Sequence, residues 1–357
     1  MPRTSRIVAK YCLITLFALF CSTALFAADL PHIVLLATGG TIAGAGKSAG
    51  EAGYKPSTLP VEKLVNAVPE IASFARLSGE QVSQVDSQAM TTTIWLKLAN
   101  RINALLADRD VDGIVVTHGT DTLEETAYFL HLTVKSRKPV VVTGSMRAAT
   151  SMSADGPMNL FNAVSVAASP LSHGKGVLVV LNDRIHSARE VTKTDTTAVD
   201  TFQSPNSGPL GTVYYGKVSF ERLPARRHTL ATPFSVAGRE TLPRVFITYG
   251  HADNTPELVE AAIRAKPDGI VNAGVGNGNA SPAVLESLGK ARRGGIAVVR
   301  SARTGGGRVT LGAEVDDAAY GFVVADDLNP QKARILLMLG LTRTSDPQAL
   351  QQLFFTY

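Results

Sequence analysis

The chain has 357 residues, with 35 basic and 30 acidic side chains, and this length favours two domains over one. Arg3, Arg6 and Lys10 account for three basic residues, which leaves 32 against 30 in the rest of the chain. Charge therefore gives no support to nucleic-acid binding. Both cysteines, Cys12 and Cys21, lie in the N-terminal 28 residues, so the rest of the chain has no disulfide and no cysteine-based metal site.

The first 28 residues have the pattern of a secretory signal peptide. Basic residues precede an apolar run over 11–26, and two small residues, Ala27 and Ala28, follow it. The run is shorter than the roughly 20 residues that span a bilayer. An uncleaved anchor is the alternative, and bulky Phe20 argues against lipoprotein cleavage at Cys21. We predict removal of 1–28, export to the periplasm and no stable membrane anchor.

Apolar runs that end in turns rich in Gly, Asn or Thr alternate with helical stretches. The runs cover 33–37, 114–116, 140–143, 177–181, 245–248, 270–272 and 296–299. This alternation predicts α/β architecture with parallel sheets and right-handed crossovers. We expect a larger N-terminal, Rossmann-like domain over 29–220 and a smaller, flavodoxin-like C-terminal domain over 244–357. Residues 221–243 lose apolar periodicity and are predicted to form the linker.

Helix starts are predicted at three places. Thr122 with Glu125 fits a capping box ahead of an apolar stripe that begins at Leu123. Ser281-Pro282 and Asn329-Pro330 fit N-cap and N1 pairs of two later helices. In the linker, a basic cluster from Arg222 to His228 is interpreted as a solvated face, with an anion-docking patch as the alternative.

Two glycine-rich segments do not match the nucleotide-binding motifs that they partly resemble. Residues 44–48 (GAGKS) lack the first glycine of a P-loop, because position 41 is threonine. Residues 274–279 (GVGNGN) lack the third glycine spacing of a dinucleotide fingerprint and an acidic residue about 20 positions on. Residues 305–307 are interpreted as a mobile turn. Six glycines over 39–53, followed by Tyr54, instead predict a loop that closes over a ligand.

Two threonine-bearing loops follow predicted strands, ATGGTIAG at 37–44 and THGTDT at 117–122. Ligands of open parallel sheets bind outside the carboxyl ends of the strands, so these loops predict one site built around threonine. A threonine hydroxyl needs a neighbouring base. Asp121 and Lys193 are candidates, since a buried lysine loses its proton readily. Taken alone, residues of these types are more often a helix cap or a surface charge, and spacing does not establish a triad.

The motifs closely resemble those of the bacterial type II L-asparaginases of the asparaginase/glutaminase family. The resemblance runs from about Leu30 to Tyr357. It rests on ATGGTIAG (37–44), VTHGTDTLEETAYFL (116–130), TSMSADGPMNL (150–160), VLNDRIHSARE (180–190), GVGNGN (274–279), AEVDD (313–317) and LNPQKARILL (328–337). It implies hydrolysis of the side-chain amide of L-asparagine through a covalent acyl-threonine, with weaker activity on L-glutamine and with no metal or cofactor.

The resemblance also implies roles for particular residues. Thr41 is the nucleophile with Tyr54 beside it, and Thr120, Asp121 and Lys193 form the second catalytic group. The substrate-binding residues it implies are Ser87, Gln88, Thr120, Asp121, Ser145 and Asn279. Asn279 and catalytic Glu314 reach the site from a neighbouring subunit, in a homotetramer that is a dimer of intimate dimers.

Asn279 agrees with family members that prefer asparagine, while Gly53 stands where some members carry Asn. Two alternatives remain at this point. One is a broad-specificity glutaminase-asparaginase, because one methylene changes discrimination by only ~10–200-fold. The other, from a different class, is a periplasmic amino-acid-binding protein, which would need no nucleophile.

Overall fold

The computed structural model describes residues 29–46, 54–55 and 61–357. The predicted signal peptide and residues 47–53 of the predicted lid lie outside the described residues. Within the described ranges, no helix has the length and apolar character needed to cross a bilayer.

An eight-stranded mixed sheet organises the N-terminal domain, in the order β12-β11-β8-β7-β6-β5-β1-β4. Strands β4, β1, β5, β6 and β7 are parallel, while β8, β11 and β12 run antiparallel to their neighbours. Two small pairs, β2–β3 and β9–β10, lie outside this sheet. The bounds are β1 (His32–Gly39), β2 (Ala45–Gly46), β3 (Tyr54–Lys55), β4 (Arg76–Val85), β5 (Gly113–Thr117), β6 (Val140–Thr143), β7 (Val177–Leu181), β8 (Arg184–Ser187), β9 (Thr192–Lys193), β10 (Phe202–Gln203), β11 (Gly211–Tyr214) and β12 (Lys217–Phe220).

The smaller C-terminal domain has a four-stranded, fully parallel sheet in the order β13-β14-β15-β16. Its strands are β13 (Val245–Tyr249), β14 (Gly269–Gly274), β15 (Ala297–Ala302) and β16 (Val323–Val324). The prediction of two α/β domains is confirmed, with an antiparallel edge added to the larger sheet. All seven apolar runs lie in or overlap strands. Six of them are buried on both faces of a covered sheet, whereas the run in the edge strand β13 has Ile247 exposed.

Helices cover both sheets. In chain order they are α1 (Val61–Asn66), α2 (Thr92–Ala107), α3 (Leu123–Thr133), α4 (Gly156–Ala168), α5 (Glu257–Arg264), α6 (Pro282–Arg293), α7 (Asp317–Tyr320), α8 (Pro330–Leu341) and α9 (Pro347–Thr356). Alternate residues of β1 face opposite cores: Ile33 and Leu35 pack with α1 and α4, while Val34 and Leu36 pack with α2 and α3.

The core on the α2–α3 side continues into the C-terminal domain. The same cluster of buried residues includes Val245 and Val271 of the smaller sheet, and six of the twelve residues of α8. Helix α3 packs directly on α8. Residues Pro31–Tyr357 accordingly form one compact unit.

The helix-start predictions are confirmed for α6 and α8 and wrong in part for α3. Ser281 accepts a hydrogen bond from Val284 N at 3.4 Å, and Asn329 accepts one from Lys332 N at 3.1 Å. Thr122 stands at the N-cap of α3 but makes no capping hydrogen bond. Its hydroxyl donates instead to the Ser87 carbonyl at 2.7 Å, because the segment that carries Ser87 lies beside it.

Candidate active site

The two predicted threonine loops leave the large sheet side by side. Strands β1 and β5 are adjacent and parallel, with Ala37 opposite Thr117, so both loops begin at the same edge. The Thr38 hydroxyl donates to the Thr117 carbonyl at 2.9 Å where the strands end. The topology therefore brings together two motifs that lie about 80 residues apart in the chain.

The loops touch through two glycines. Gly40 has φ +86°, and a Cβ there would lie 2.3 Å from Gly119 Cα. A Cβ on Gly119 would in turn lie 2.8 Å from the Ser87 hydroxyl oxygen. Such distances are far below van der Waals contact, so only glycine fits at either position. This contact sets the separation of the loops that carry Thr41 and Thr120.

Thr41 begins a single 3-10 turn, Thr41–Ala43, directly after the Gly40 contact. Gly44 N donates to the Thr41 carbonyl at 2.8 Å, and Ala43 N donates to the Gly40 carbonyl at 3.2 Å. The threonine is buried, with 7% of its surface exposed. A tight turn at the end of a buried strand thus holds Thr41 in place with little of the residue exposed.

Thr120, Asp121 and Lys193 form a hydrogen-bonded group. The Lys193 ammonium donates to the Thr120 hydroxyl at 3.1 Å and to Asp121 Oδ1 at 2.8 Å. Lys193 stands in β9, which pairs with β10 opposite Phe202. Thr120 is buried, Lys193 is 16% exposed and Asp121 is 58% exposed at the side chain. A hydroxyl that is hydrogen-bonded to an amine can exchange a proton with it. A carboxylate on the other side of the amine balances the positive charge that the amine then carries.

Ser87 also contacts the Thr120 loop. It begins the 3-10 turn Ser87–Ala89, which follows β4. Its hydroxyl accepts a hydrogen bond from Asp121 N at 3.2 Å. Ser87 is buried and the neighbouring Gln88 is exposed. A third strand end thus contributes to the same edge of the sheet.

Ser145 follows β6, the next strand in the sheet. Its hydroxyl donates to the Arg147 carbonyl at 2.8 Å, and the residue is fully buried. The Asp155 carboxylate accepts from Met146 N and Arg147 N, both at 2.9 Å. Gly144 lies against the His118 carbonyl, which a Cβ would approach to 2.5 Å. The Ser145 loop is therefore fixed beside the Thr120 loop.

A buried network that the sequence did not reveal supports the Thr120 loop from behind. The Thr126 hydroxyl lies 2.8 Å from His118 Nε2 and 2.7 Å from Trp95 Nε1, which donates to it. His118 Nδ1 lies 2.7 Å from the Gly119 carbonyl. Burial lowers the pKa of His118 to about 4, so the ring is neutral at pH 7. The one signal in the sequence was His118 itself, inside the second threonine motif.

Asn279 and Glu314 lie in the C-terminal domain and contact each other. Asn279 Nδ2 donates to Glu314 Oε2 at 2.6 Å. The hydrogen bonds that join Thr120, Asp121 and Lys193 all remain within the N-terminal domain. Asn279 Oδ1 has no hydrogen-bond partner within the part of the chain that the structure describes. The single chain thus presents these two residues as a separate pair.

Tyr54 opens β3, which pairs antiparallel with β2 through Gly46. Its side chain lies outside the described part of the structure, as does Gly53. Among the described residues, no three His, Cys, Asp or Glu side chains converge on a point that could hold a metal ion.

Fold and site together define a two-domain α/β protein with a hydroxyl–amine–carboxylate group at the carboxyl edge of a largely parallel sheet. The chain belongs to the asparaginase family. Residues 32–226 match the family described as "Asparaginase, N-terminal", and residues 244–354 match the "Glutaminase/Asparaginase C-terminal domain".

Relatives match over nearly the whole chain. A "Probable L-asparaginase periplasmic" of Haemophilus influenzae is 53% identical over 97% of this chain and 99% of its own length. The "L-asparaginase 2" of Escherichia coli is 54% identical over 92% of this chain and 94% of its own. A "Glutaminase-asparaginase" of Pseudomonas fluorescens biotype A is 48% identical over 92% of this chain and 91% of its own.

Proposed function

We propose that the protein is an L-asparaginase that hydrolyses L-asparagine to L-aspartate and ammonia, with weaker activity on L-glutamine. The observation that carries this proposal is the hydrogen-bonded group of Thr120, Asp121 and Lys193, one strand away from buried Thr41. The 53% and 54% identity to the two L-asparaginases described above exceeds the 48% identity to the glutaminase-asparaginase. This difference supports asparagine as the preferred amide.

The proposed reaction has two halves. The Thr41 hydroxyl oxygen attacks the side-chain amide carbon, and the hydroxyl proton passes to the departing nitrogen. Ammonia is released, and the acyl group stays on Thr41 as an ester. Water then cleaves this ester to release aspartate and restore the hydroxyl. The resemblance to the family assigns Tyr54 to the same step, and the Thr120–Lys193–Asp121 group exchanges the protons. Backbone amides near Thr120, together with the backbone amide of Ser145, stabilise the oxyanion, each donor contributing roughly 3 kcal/mol. The Ser145 hydroxyl does not take part, because it donates to the Arg147 carbonyl at 2.8 Å.

The substrate backbone is held by opposite charges. Asp121 takes the α-ammonium, and Ser87 with Gln88 binds the α-carboxylate and its surroundings. Asp121 N donates to the Ser87 hydroxyl at 3.2 Å, so the residues proposed to hold the two charged groups of the substrate are neighbours, which supports this division. A site with both contacts selects a free amino acid over an amide within a peptide.

The functional unit in this proposal is a homotetramer built from two intimate dimers. Asn279 and Glu314 of a second copy complete each site, because within one chain they contact each other rather than the Thr120 group. The chain is divided into a signal peptide (1–28), an N-terminal domain (29–220), a linker (221–243) and a C-terminal domain (244–357). The signal peptide directs the protein to the periplasm.

Ammonia release from asparagine and glutamine, measured side by side, tests the function. We expect the larger kcat/KM for asparagine. Comparable values for both amides would favour the broad-specificity alternative, and no release from either would favour a binding protein instead.

Thr41→Ala tests the nucleophile. We expect kcat to fall by a factor on the order of 10⁴ or more, with the folded structure retained, because the variant lacks the hydroxyl that forms the ester in the proposed reaction. Thr342→Ala, which removes a hydroxyl that donates to the Leu339 carbonyl at the end of α8, is the matched control. Circular dichroism checks folding. Near-normal turnover by Thr41→Ala would refute the proposed role.

A further inference from the structure

A lysine of the C-terminal domain lies buried behind the segment that carries Lys193. Lys332, in the first turn of α8, is 2% exposed. Its ammonium donates to the Arg189 carbonyl at 2.9 Å and also to the Val191 carbonyl. Residues 188–191 connect β8 to β9, and β9 contains Lys193. The ammonium thus holds the connection immediately before the catalytic amine.

Carbonyl groups in such a connection need donors from elsewhere. Residues 188–190 form a turn and Val191 lies outside any strand, so neither carbonyl belongs to a sheet ladder. A buried carbonyl left without a donor costs about 1–3 kcal/mol. Because Lys332 serves two carbonyls at once, its removal would let the connection move to find other partners.

Lys332 also belongs to a cluster around Glu124, which lies one turn after the Thr120 loop. Gln331 Nε2 donates to Glu124 Oε1 at 2.8 Å, and Asn329 Nδ2 donates to Glu124 Oε2 at 3.3 Å. The Lys332 ammonium lies 3.9 Å from Glu124 Oε2. The first turn of α8 therefore contacts the segments that carry Thr120 and Lys193.

The contacts form a closed ring. Thr120 leads along the chain to Glu124, Glu124 contacts the start of α8, and Lys332 contacts the connection to Lys193. The ring closes where Lys193 donates to Thr120. Burial lowers the pKa of Lys332 to about 8, while Glu124 and Glu190 act in the opposite direction, so the amine is largely protonated at neutral pH.

We propose that Lys332 is a positioning residue, which holds the 188–193 segment so that the Lys193 amine lies within hydrogen-bond distance of Thr120 and Asp121. It does not touch the reacting atoms. The C-terminal domain thereby sets the geometry of a proton-transfer group that belongs to the N-terminal domain. This inference rests on the proposed asparaginase reaction.

Lys332→Met tests the proposal, since it keeps the volume and removes the donor. We expect kcat for asparagine to fall by about 10- to 100-fold with KM changed by less than about threefold, because a displacement near 1 Å can cost 10²-fold in rate. The rate is referred to the folded fraction, measured by circular dichroism in the same buffer.

Lys135→Met is the matched control. Lys135 also donates to two backbone carbonyls, Thr229 O at 3.2 Å and Thr232 O at 2.9 Å, and burial lowers its pKa to about 8 as well. We expect this variant to lose thermal stability and to keep kcat within about twofold. Equal kcat per folded molecule in the two variants would overturn the positioning role.

A labelling experiment reads the position of Lys193 without any turnover. Lysines are acetylated briefly with acetic anhydride, and peptides are quantified against exposed Lys290. In Lys332→Met we expect faster labelling of Lys193 with unchanged labelling of Lys135. A parallel rise at both lysines would indicate general loosening and would contradict the proposal.

Gln331→Met keeps the question decidable if Lys332→Met does not fold. This half-buried side chain loses only its bond to Glu124. We expect kcat to fall by about 3- to 10-fold with KM unchanged, and a kcat equal to that of the unaltered protein would overturn the proposal. If the unaltered protein releases no ammonia from asparagine, the proposed function fails, while the labelling of Lys193 still tests the positioning.

Discussion

The two threonine loops occupy equivalent places at the end of adjacent strands, yet different forces hold them. The Thr120 loop is fixed by side chains: Ser87 contacts it from one side, Lys193 from another, and the His118–Thr126 pair from behind. The Thr41 loop is fixed by its own backbone turn and by the contact of Gly40 with Gly119.

This difference separates two kinds of sensitivity. A loop held by polar side chains fails when a buried donor or acceptor loses its partner. A loop held by close backbone packing fails when volume is added, because a packed interior has no room to absorb a methyl group. The same site should therefore be damaged by opposite kinds of substitution on its two sides.

The largest effect is expected from Gly40→Ala. The new Cβ would meet Gly119 Cα at 2.3 Å, and φ is +86°. Strain and overpacking together should lower the free energy of unfolding by about 2–6 kcal/mol. The displaced loops should lower kcat by about 100-fold. Urea unfolding and ammonia release measure the two quantities.

Gly238→Ala separates strain from collision. Gly238 has φ +71°, with no heavy atom within 4 Å of the added Cβ. It should lose only the strain, about 1–3 kcal/mol, and keep kcat. If both variants had the same kcat, the glycine contact would not set the separation of the loops.

The next effect is a loss of stability in acid. The pKa of buried His118 is lowered from its ordinary value of 6.5 to about 4, so the unfolded chain binds more protons between these values. The stabilisation is present above pH 6.5 and is lost as the pH falls towards 4, by about 3 kcal/mol in total. His186, with a pKa also near 4, contributes in the same direction. In His118→Gln, urea unfolding should show a weaker pH dependence, and an identical dependence would contradict the assignment to His118.

The smallest effect is expected from Thr126→Val, which leaves His118 and Trp95 without their shared partner. The free energy of unfolding should fall by about 1–3 kcal/mol, with a smaller change in kcat than Gly40→Ala gives. Thr133→Val, in the same helix, removes only a hydroxyl that donates to the Phe129 carbonyl and should cost less. Equal losses of unfolding free energy in the two variants would show that the network behind the Thr120 loop stabilises the fold no more than an ordinary hydroxyl in the same helix.

The sequence predicted most of the parallel strands, but it missed the edge strands β4, β12 and β16 and the antiparallel strands β8 and β11 inside the larger sheet. The central parallel strands are continuous apolar runs because both of their faces are covered, so the sequence alone identifies them. Strand β4 and strand β12 are sheet edges, with exposed residues and no apolar run. Part of the basic linker cluster also departs from the predicted solvated face, because Arg226 pairs with Asp326 at 2.6 Å.

The site was predicted in part for a similar reason. Threonine and glycine in a strand-end loop form a local motif that the sequence shows directly. The partners of Lys332, by contrast, lie about 140 to 210 positions away in the chain. The capping box at α3 failed because the Ser87 carbonyl competed for the Thr122 hydroxyl. Such competitors become visible only when the chain has folded.

The apolar core shared by α3 and α8 also constrains the timing of synthesis. The ribosome completes the N-terminal domain well before α8 exists, so the surface of α3 that α8 covers stays exposed to water in the meantime. At about 5–20 residues per second, the remaining third of the chain takes on the order of ten seconds to appear. During that interval the nascent protein exposes an apolar helix face to which a chaperone can bind. A fragment that stops at the linker would keep that face exposed permanently and should aggregate.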